Sequence, residues 1–241
     1  MNISTLIKNP TFKVGLVSLA SLGSLAITTS ALAVQLDFSS WQKFGDVVTP
    51  EGGVNLSTAS LQFQDDAPTS AGVFNYSGIP AGDAGFYPDL QNFLALADLS
   101  DLDIGGFVFE GSAIKNTLTL AAGDTFSFDW NFRTNETLNK DFAFLLVDGT
   151  LIKLADFTDA TQADSPFLQK TGIRSYTFST PGTYTFALGV VDVDDYGTTS
   201  ALEISNAKLE RVPVPEPSTI LGLFTALGCS ITIRRLRKKS T

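Results

Sequence analysis

Histidine is absent from the 241 residues, and cysteine occurs only once, at position 229. Without histidine the chain can form neither the Ser-His-Asp nor the Cys-His arrangement of nucleophilic hydrolases. It also lacks the imidazole ligands that most zinc and copper sites use. One cysteine cannot form an internal disulfide. Carboxylate chemistry, metals with oxygen ligands such as calcium, and binding without chemistry remain open.

Basic residues are scarce between the two ends of the chain. Positions 34–212 contain nine Lys or Arg against 24 Asp or Glu, a net charge of −15. Such a surface repels nucleic acid and anionic lipid headgroups. The composition therefore predicts no nucleic-acid partner, and it suits solubility, cation binding or residence in an extracellular matrix.

The first 33 residues have the pattern of an export leader. Lys8 and Lys13 form a positive start, residues 14–27 are mainly apolar, and the small residues Ala31 and Ala33 flank Leu32. A signal peptidase accepts only short side chains at these two positions. We predict a signal peptide over residues 1–33 that is cleaved after Ala33, so that the rest of the chain is exported.

The last 29 residues, 213–241, form a tail with three parts. Pro215, Glu216 and Pro217 are followed by an apolar stretch over residues 219–233 and by a basic cluster at residues 234–239. A helix of about 16 residues covers roughly 24 Å, a little less than the hydrocarbon core of a bilayer. Basic residues stay on the cytoplasmic side. The tail therefore predicts one short transmembrane helix that holds the body outside the cytoplasm.

The combination of Pro-Glu-Pro, a short apolar helix and an Arg-rich end resembles the PEP-CTERM sorting signal of bacteria. That resemblance implies recognition by exosortase, a membrane-embedded cysteine peptidase. It implies cleavage near Pro215, Glu216 and Pro217, which would be a substrate motif without a catalytic role. It further implies a transient inner-membrane anchor, followed by delivery of the body to the cell surface or extracellular matrix.

Residues 125–133 give the clearest strand of the body. Phe126, Phe128, Trp130 and Phe132 alternate with polar residues, so the four aromatic side chains share one face. A face of this kind is either a stacking platform for sugars or the core of a sandwich. The predominance of Phe favours a core.

Similar patterns predict further strands at 114–120, 142–147, 150–154, 176–178, 184–190 and 202–209. Apolar residues on both faces of 142–147 indicate a central strand. Asp148-Gly149 predicts a hairpin turn, and Ser205-Asn206 a bulge. The one helical pattern, after Pro88, is expected to plug an end of the sandwich. Residues 34–212 are thus predicted to form an all-β domain, an antiparallel β-sandwich or jelly roll.

Two segments of the body resemble the closing strands of galactose-binding-like jelly rolls. They are Gly182-Thr183-Tyr184-Thr185-Phe186 and the stretch from Ser200 to Ala207. Glu110 to Ala113 and Phe128 to Phe132 also resemble secreted PEP-CTERM β-domains. Residues 34–104 show no comparable resemblance.

Three carboxylates lie close together after the predicted strand that ends near residue 191. Asp192, Asp194 and Asp195 could supply oxygen ligands for calcium. An exposed turn in an acidic protein is the alternative. No other cofactor is predicted.

A second group of polar residues follows the aromatic strand. Asn131, Asn135, Glu136 and Asp141 offer amides and carboxylates that could bind a sugar, although turn chemistry would use the same residue types. The functional hypothesis is an exported structural or adhesive protein with weak, calcium-assisted binding to exopolysaccharide or another glycan. The alternative is a secreted carbohydrate-active hydrolase that uses paired carboxylates. No residue is assigned a catalytic role, and enzymatic activity is not expected.

Overall fold

The computed structural model describes residues 32–60 and 73–212. One α-helix, α1 (Asp89–Leu94), and three 3₁₀ helices (Phe38–Ser40, Leu99–Leu102 and Phe157–Asp159) accompany the strands. The strands are β1 (Leu32–Gln35), β2 (Gln42–Phe44), β3 (Asp46–Val48), β4 (Gly53–Ser57), β5 (Gly82–Asp83), β6 (Val108–Leu120), β7 (Thr125–Thr134), β8 (Phe142–Val147), β9 (Thr150–Asp156), β10 (Gln162–Ala163), β11 (Gln169–Lys170), β12 (Arg174–Phe178), β13 (Gly182–Val193) and β14 (Ser200–Arg211).

The strands form two antiparallel sheets. Sheet A has the order β10-β11-β7-β14-β4-β3, with β1 paired to β14 and β12 paired to β7. Sheet B has the order β2-β6-β13-β8-β9, with β5 paired to β6. Consecutive segments of the chain pass repeatedly from one sheet to the other, as in a jelly roll. The predicted β-sandwich is confirmed.

The principal core lies between the two sheets. The aromatic residues of β7 face it: Phe126, Phe128 and Phe132 are fully buried and Trp130 almost so. Phe126 packs edge-on against Phe186 of β13, with the ring centroids 4.9 Å apart. The aromatic face is thus a sandwich core, as predicted, and it does not offer a platform to sugars. Trp41 is buried in the same core, which therefore contains both tryptophans of the chain.

A second apolar layer covers the outer face of sheet B. Leu90 and Leu94 of α1 pack there in one cluster with Ala113, Phe144 and Val191. The predicted helix exists, but its expected position was wrong, because it lies across the sheet and does not plug an end. The residues of β8 are apolar on both faces since one face meets sheet A and the other meets this layer. The prediction of a central strand at 142–147 is confirmed.

Two predicted backbone features are confirmed. Asp148 and Gly149 have φ of +46° and +79° and join β8 to β9, as expected for a two-residue hairpin. Asn206 has φ of +51° at a shift in register between β14 and β7. Both positions use residue types that accept the left-handed conformation.

The sandwich has two distinct ends. At the chain-end pole, Leu32 pairs with Arg211, and the turn at residues 121–124 contacts Val212 through Asp124. The loop pole consists of segments 58–60, 73–83, 135–141 and 194–199. These segments are joined by backbone hydrogen bonds such as Thr58 N to Ser200 O, 2.9 Å. The 12 residues of β14 run from the loop pole to the chain-end pole, roughly 36 Å.

The segments predicted to interact with the membrane lie almost entirely outside the described residues. Only Leu32 and Ala33 of the predicted leader are described, and they belong to β1. The sorting motif at Pro215, Glu216 and Pro217 and the apolar stretch after it are outside. Within 32–60 and 73–212, no helix has the length and apolarity needed to cross a bilayer.

Candidate functional site

An open cavity of about 550 Å³ lies at the loop pole. Its walls come from the segment after β4, from β5 and the turn that follows it, from β6, and from the loop between β13 and β14. The lining residues are Ser60, Ala81, Gly82, Asp83, Phe86, Tyr87, Glu110 and Tyr196.

Strand register places three carboxylates in one row beside this cavity. Glu110 of β6 lies directly opposite Asp83 of β5 on one side and opposite Asp192 of β13 on the other. Directly opposed residues point to the same face of a sheet, with Cβ atoms about 4.5–5.5 Å apart. Glu110 and Asp192 are only 2% and 0% exposed. The row thus runs from the cavity wall into the interior of the sandwich.

Tyr196 lies against this acidic row. Burial raises the pKa of its phenol, and the negative charges of Asp83, Glu110 and Asp192 raise it further. Its ring packs edge-on against Phe109, with the centroids 4.8 Å apart. The phenol therefore stays protonated at neutral pH, and the charged side chains that line the cavity are acidic.

Two adjacent aromatic side chains stand exposed at the rim. Phe86 is 80% exposed and Tyr87 is 68% exposed. Their backbone is fixed, because the Tyr87 amide donates to Asp83 Oδ1 at 2.9 Å. The amides of Ala84 and Gly85 both donate to the carbonyl of Phe109, at 2.8 and 2.9 Å. The hydrogen-bonded turn thus keeps two large aromatic rings exposed to solvent.

Gly82 allows β5 to approach its neighbours closely. A Cβ atom at this position would lie 2.3 Å from the ring of Phe44. Any side chain here would push β5 away from β6 or displace the ring. Gly82 thus leaves room for the ring of Phe44 beside the segment that carries Asp83.

The arrangement suits a ligand that is polar at its edges and apolar on its faces. Carboxylates accept hydrogen bonds from hydroxyl or amine donors, and the Tyr196 phenol can donate or accept. Aromatic rings supply large contact areas at small entropic cost. A few placed polar groups among apolar walls are the usual composition of a small-molecule site.

The three aspartates predicted to bind calcium point to different surroundings. Asp192 belongs to the buried row in sheet B, and Asp194 accepts a hydrogen bond from the Phe107 amide at 2.9 Å. Asp195 accepts from the Gly197 amide at 2.7 Å and from the side-chain amide of Asn139. Over 32–60 and 73–212, no three carboxylate, Cys or His side chains are grouped closely enough to hold a metal ion. The structure thus does not bring this trio together.

Two of the four predicted sugar ligands, Asn131 and Asn135, have structural partners. Asn131 lies on the outer face of sheet A and donates to Glu203 Oε2 at 3.0 Å. The side-chain oxygen of Asn135 accepts from the Leu168 amide at 2.9 Å. Neither lines the cavity.

The other two predicted ligands, Glu136 and Asp141, are buried. Glu136 accepts from the backbone amides of residues 137–139, at 2.6–3.1 Å, and so shapes the loop. Asp141 accepts from the Val193 amide at 2.9 Å and the Ser200 hydroxyl at 2.7 Å. Burial raises the pKa of Asp141 well above its ordinary value. Glu136 therefore shapes its own loop, and Asp141 ties separate segments together at the loop pole.

Sequence reasoning missed the residues of the cavity. Asp83, Phe86 and Tyr87 lie in a region without recognisable resemblance. Glu110 was named only as part of a segment that resembles other secreted β-domains, and Tyr196 was not singled out. One signal was available: Phe86 and Tyr87 are adjacent, so a strand could bury only one of them on a single face. Two neighbouring aromatics in a Gly- and Asp-rich turn indicate exposed rings.

No protein-family model and no curated protein matches the chain. Solved structures give distant similarities. TmCBM61 in complex with β-1,4-galactotriose has 12% identity over 73% of this chain and 91% of that chain, with a TM-score of 0.31. A CBM4 structure has 13% identity over 70% and 92%, with a TM-score of 0.29. A family 35 carbohydrate-binding module from an environmental isolate has 15% identity over 72% and 99%, with a TM-score of 0.28. Similarities this distant assign no ligand to the chain.

Proposed function

We propose that this protein is an exported, non-catalytic glycan-binding protein with a structural or adhesive role in a cell-surface or exopolysaccharide layer. One observation carries the proposal: the exposed Phe86 and Tyr87 stand on an anchored turn beside a cavity wall that contains Asp83 and Glu110. Sugar rings present apolar faces to aromatic side chains and hydroxyl donors to carboxylates.

The negative charge of the cavity wall restricts which glycans can bind there. Asp83 and Glu110 line it, and the negative charge of Asp192 also acts on Tyr196. A uronic acid or sulfated sugar would bring a like charge to this wall, which disfavours binding. The ligand is therefore a neutral glycan or one with amino sugars.

Export and sorting belong to the same proposal and are supported by the sequence of the two ends. The leader at residues 1–33 directs export, and an exosortase-like enzyme cleaves near Pro215, Glu216 and Pro217 after the tail has entered the membrane. Mass spectrometry of the native protein tests this part. A mature species that begins at Val34 and ends near Pro217 is expected, and an intact 241-residue chain in the cytosol would contradict it.

Calorimetry on the detergent-solubilised full chain tests glycan binding. The probes are β-1,4-galactotriose, a chitosan oligomer and an oligogalacturonate of equal length, each with and without calcium. Binding of a neutral or amino-sugar probe, but not of the oligogalacturonate, is expected. Calcium assistance predicts a tighter complex in the calcium arm, and equal affinities would remove calcium from the proposal.

Variants locate the site. The double substitution Phe86→Ala with Tyr87→Ala should weaken binding roughly tenfold or more, as loss of aromatic contacts does at other interfaces. Leu138→Ala removes an equally exposed side chain of the loop pole outside the cavity and should leave the affinity unchanged. Equal affinity of the double variant and the wild type would place the site elsewhere.

The hydrolase alternative has one favourable observation, the direct opposition of Asp83 and Glu110. Glycoside hydrolysis needs two carboxylates at a set separation. Release of reducing ends from the probes, abolished by Glu110→Gln, would replace the binding proposal with an enzymatic one.

A further inference from the structure

The first and the last residues that the structure describes, Leu32 and Val212, lie at the pole that is farthest from the cavity. Leu32 and Arg211 are paired neighbours at the chain-end pole, and the Val212 amide donates to Asp124 Oδ1 at 3.0 Å in the turn there. Ser200, at the other end of β14, adjoins the loops of the loop pole, where the cavity lies. The two locations are separated by the length of β14, roughly 36 Å.

The connection from the body to the predicted membrane helix is short. Six residues, 213–218, lie between Val212 and Thr219, where the apolar stretch begins, so seven Cα–Cα steps connect the two. Even a fully extended chain of that length spans only roughly 25 Å. A body turned with its cavity toward the bilayer would require this connection to run past the whole sandwich, roughly 36 Å. The connection is too short for that orientation.

We infer that the membrane-anchored protein holds its chain-end pole next to the bilayer and its cavity away from it. This inference rests on the proposed function, because it takes the tail as an anchor and the cavity as the binding site. While the tail anchors the body, the cavity therefore faces the layer beyond the membrane, and the sugar headgroups of the anchoring membrane are out of its reach.

Spin labels on the chain from Val34 to Thr241, which lacks the predicted leader and keeps the tail, test the orientation in vesicles. Cys229→Ser removes the native thiol, after which Ala122→Cys labels the chain-end pole and Leu138→Cys the loop pole. Both positions are exposed, and they lie roughly 30 Å apart along β7. The vesicles carry a neutral phospholipid with a small fraction of a gadolinium-chelating lipid, which relaxes nearby spin labels.

Strong relaxation enhancement is expected for the spin label at position 122, and little or none for the spin label at position 138. Equal enhancement, or a stronger effect at Leu138, would overturn the inference, as would recovery of the protein free of vesicles after flotation. The glycan probes are added to the same vesicles. Absent binding with the expected relaxation pattern would defeat the proposed function alone, whereas retained binding with a reversed pattern would defeat only the orientation.

Discussion

The chain-end pole and the loop pole use the same residue type, aspartate, in different ways. At the chain-end pole the turns are tight, and single carboxylates close them: Asp124 accepts from the amides of Ala121 and Val212. At the loop pole the connections are long, and buried Asp46 and Asp141 tie together segments far apart in sequence. The chain-end pole is closed by short turns, whereas the loop pole is closed by longer loops that surround a cavity. The loop pole thus contains more chain than closing a turn requires, and its buried aspartates hold that extra length in place around the cavity.

The largest effect should come from the core near the chain-end pole. Phe126 is fully buried and contacts the rings of Phe128 and Phe186. Phe126→Ala should lower the free energy of unfolding by about 3–5 kcal/mol, because it removes buried area and leaves a cavity. Urea unfolding measures the loss. Phe86→Ala, at the exposed rim, should change stability by less than about 0.5 kcal/mol. A similar loss of unfolding free energy in both variants would contradict this difference between the core and the exposed rim of the loop pole.

A smaller loss is expected from the anchor of the loop at residues 75–79. Buried Asp46 accepts from the amides of Tyr76 and Ser77, at 2.8 and 2.6 Å, and from the Ser57 hydroxyl. Asp46→Ala leaves these donors without an acceptor and should destabilise the fold by roughly 2–3 kcal/mol. Hydrogen exchange should rise locally at residues 75–79. Asp46→Asn keeps one acceptor oxygen and should lose less; an equal loss would point to packing instead of hydrogen bonding.

The pH dependence of stability should also differ between the poles. Burial raises the pKa of Asp141 above its ordinary value of 3.8, with Glu136 and Asp195 adding repulsion, although hydrogen bonds from Ser200 and Val193 oppose the shift. The folded protein therefore keeps a proton that the unfolded chain has released. Asp141 contributes most to stability below about pH 4, and this contribution is lost as pH rises toward the folded pKa.

The substitution Asp141→Asn should remove the contribution of this carboxyl to the pH dependence of the free energy of unfolding. For one proton, that contribution is a slope of up to about 1.4 kcal/mol per pH unit. Urea unfolding between pH 4 and 7 measures it. Ala122→Ser, at an exposed position of the chain-end pole that carries no ionisable group, is the control and should keep the wild-type slope. Identical slopes in all three proteins would show that Asp141 ionises normally in the fold.

The smallest effect concerns the contact between Asp124 and Val212, the last residue that the structure describes. Asp124→Ala removes the acceptor of the Ala121 and Val212 amides and should reduce stability by about 1 kcal/mol. Exchange of the Val212 amide should accelerate while glycan affinity stays unchanged. An altered affinity would show that the two poles are coupled, contrary to the comparison.

The sequence predicted what depends on local periodicity. The alternation from Phe126 to Phe132 gave the core face, the two-sided apolar pattern of residues 142–147 gave a central strand, and Asp148-Gly149 gave a hairpin, because each follows from a repeat or turn within a few residues. The position of α1 was not predictable, since the pattern after Pro88 says that one face is buried without saying against which layer.

The cavity could not be predicted from the sequence because strand register creates it. Asp83, Glu110 and Asp192 are separated by 27 and 82 positions and become neighbours only through β5, β6 and β13. The carboxylates that are adjacent in sequence, Asp194 and Asp195, instead have separate partners in the loop. Clustering in sequence therefore did not indicate which carboxylates lie side by side, whereas pairing across strands determines it.

The location of both tryptophans in the sandwich core has a practical consequence. Trp41 and Trp130 are buried between the sheets and do not line the cavity at the loop pole. Their ultraviolet emission should follow denaturation of the body and stay constant when a sugar enters. Tyr87 and Tyr196 line the cavity, so their absorbance should change when a ligand binds. Tryptophan emission and tyrosine absorbance therefore distinguish unfolding from ligand binding without an added dye.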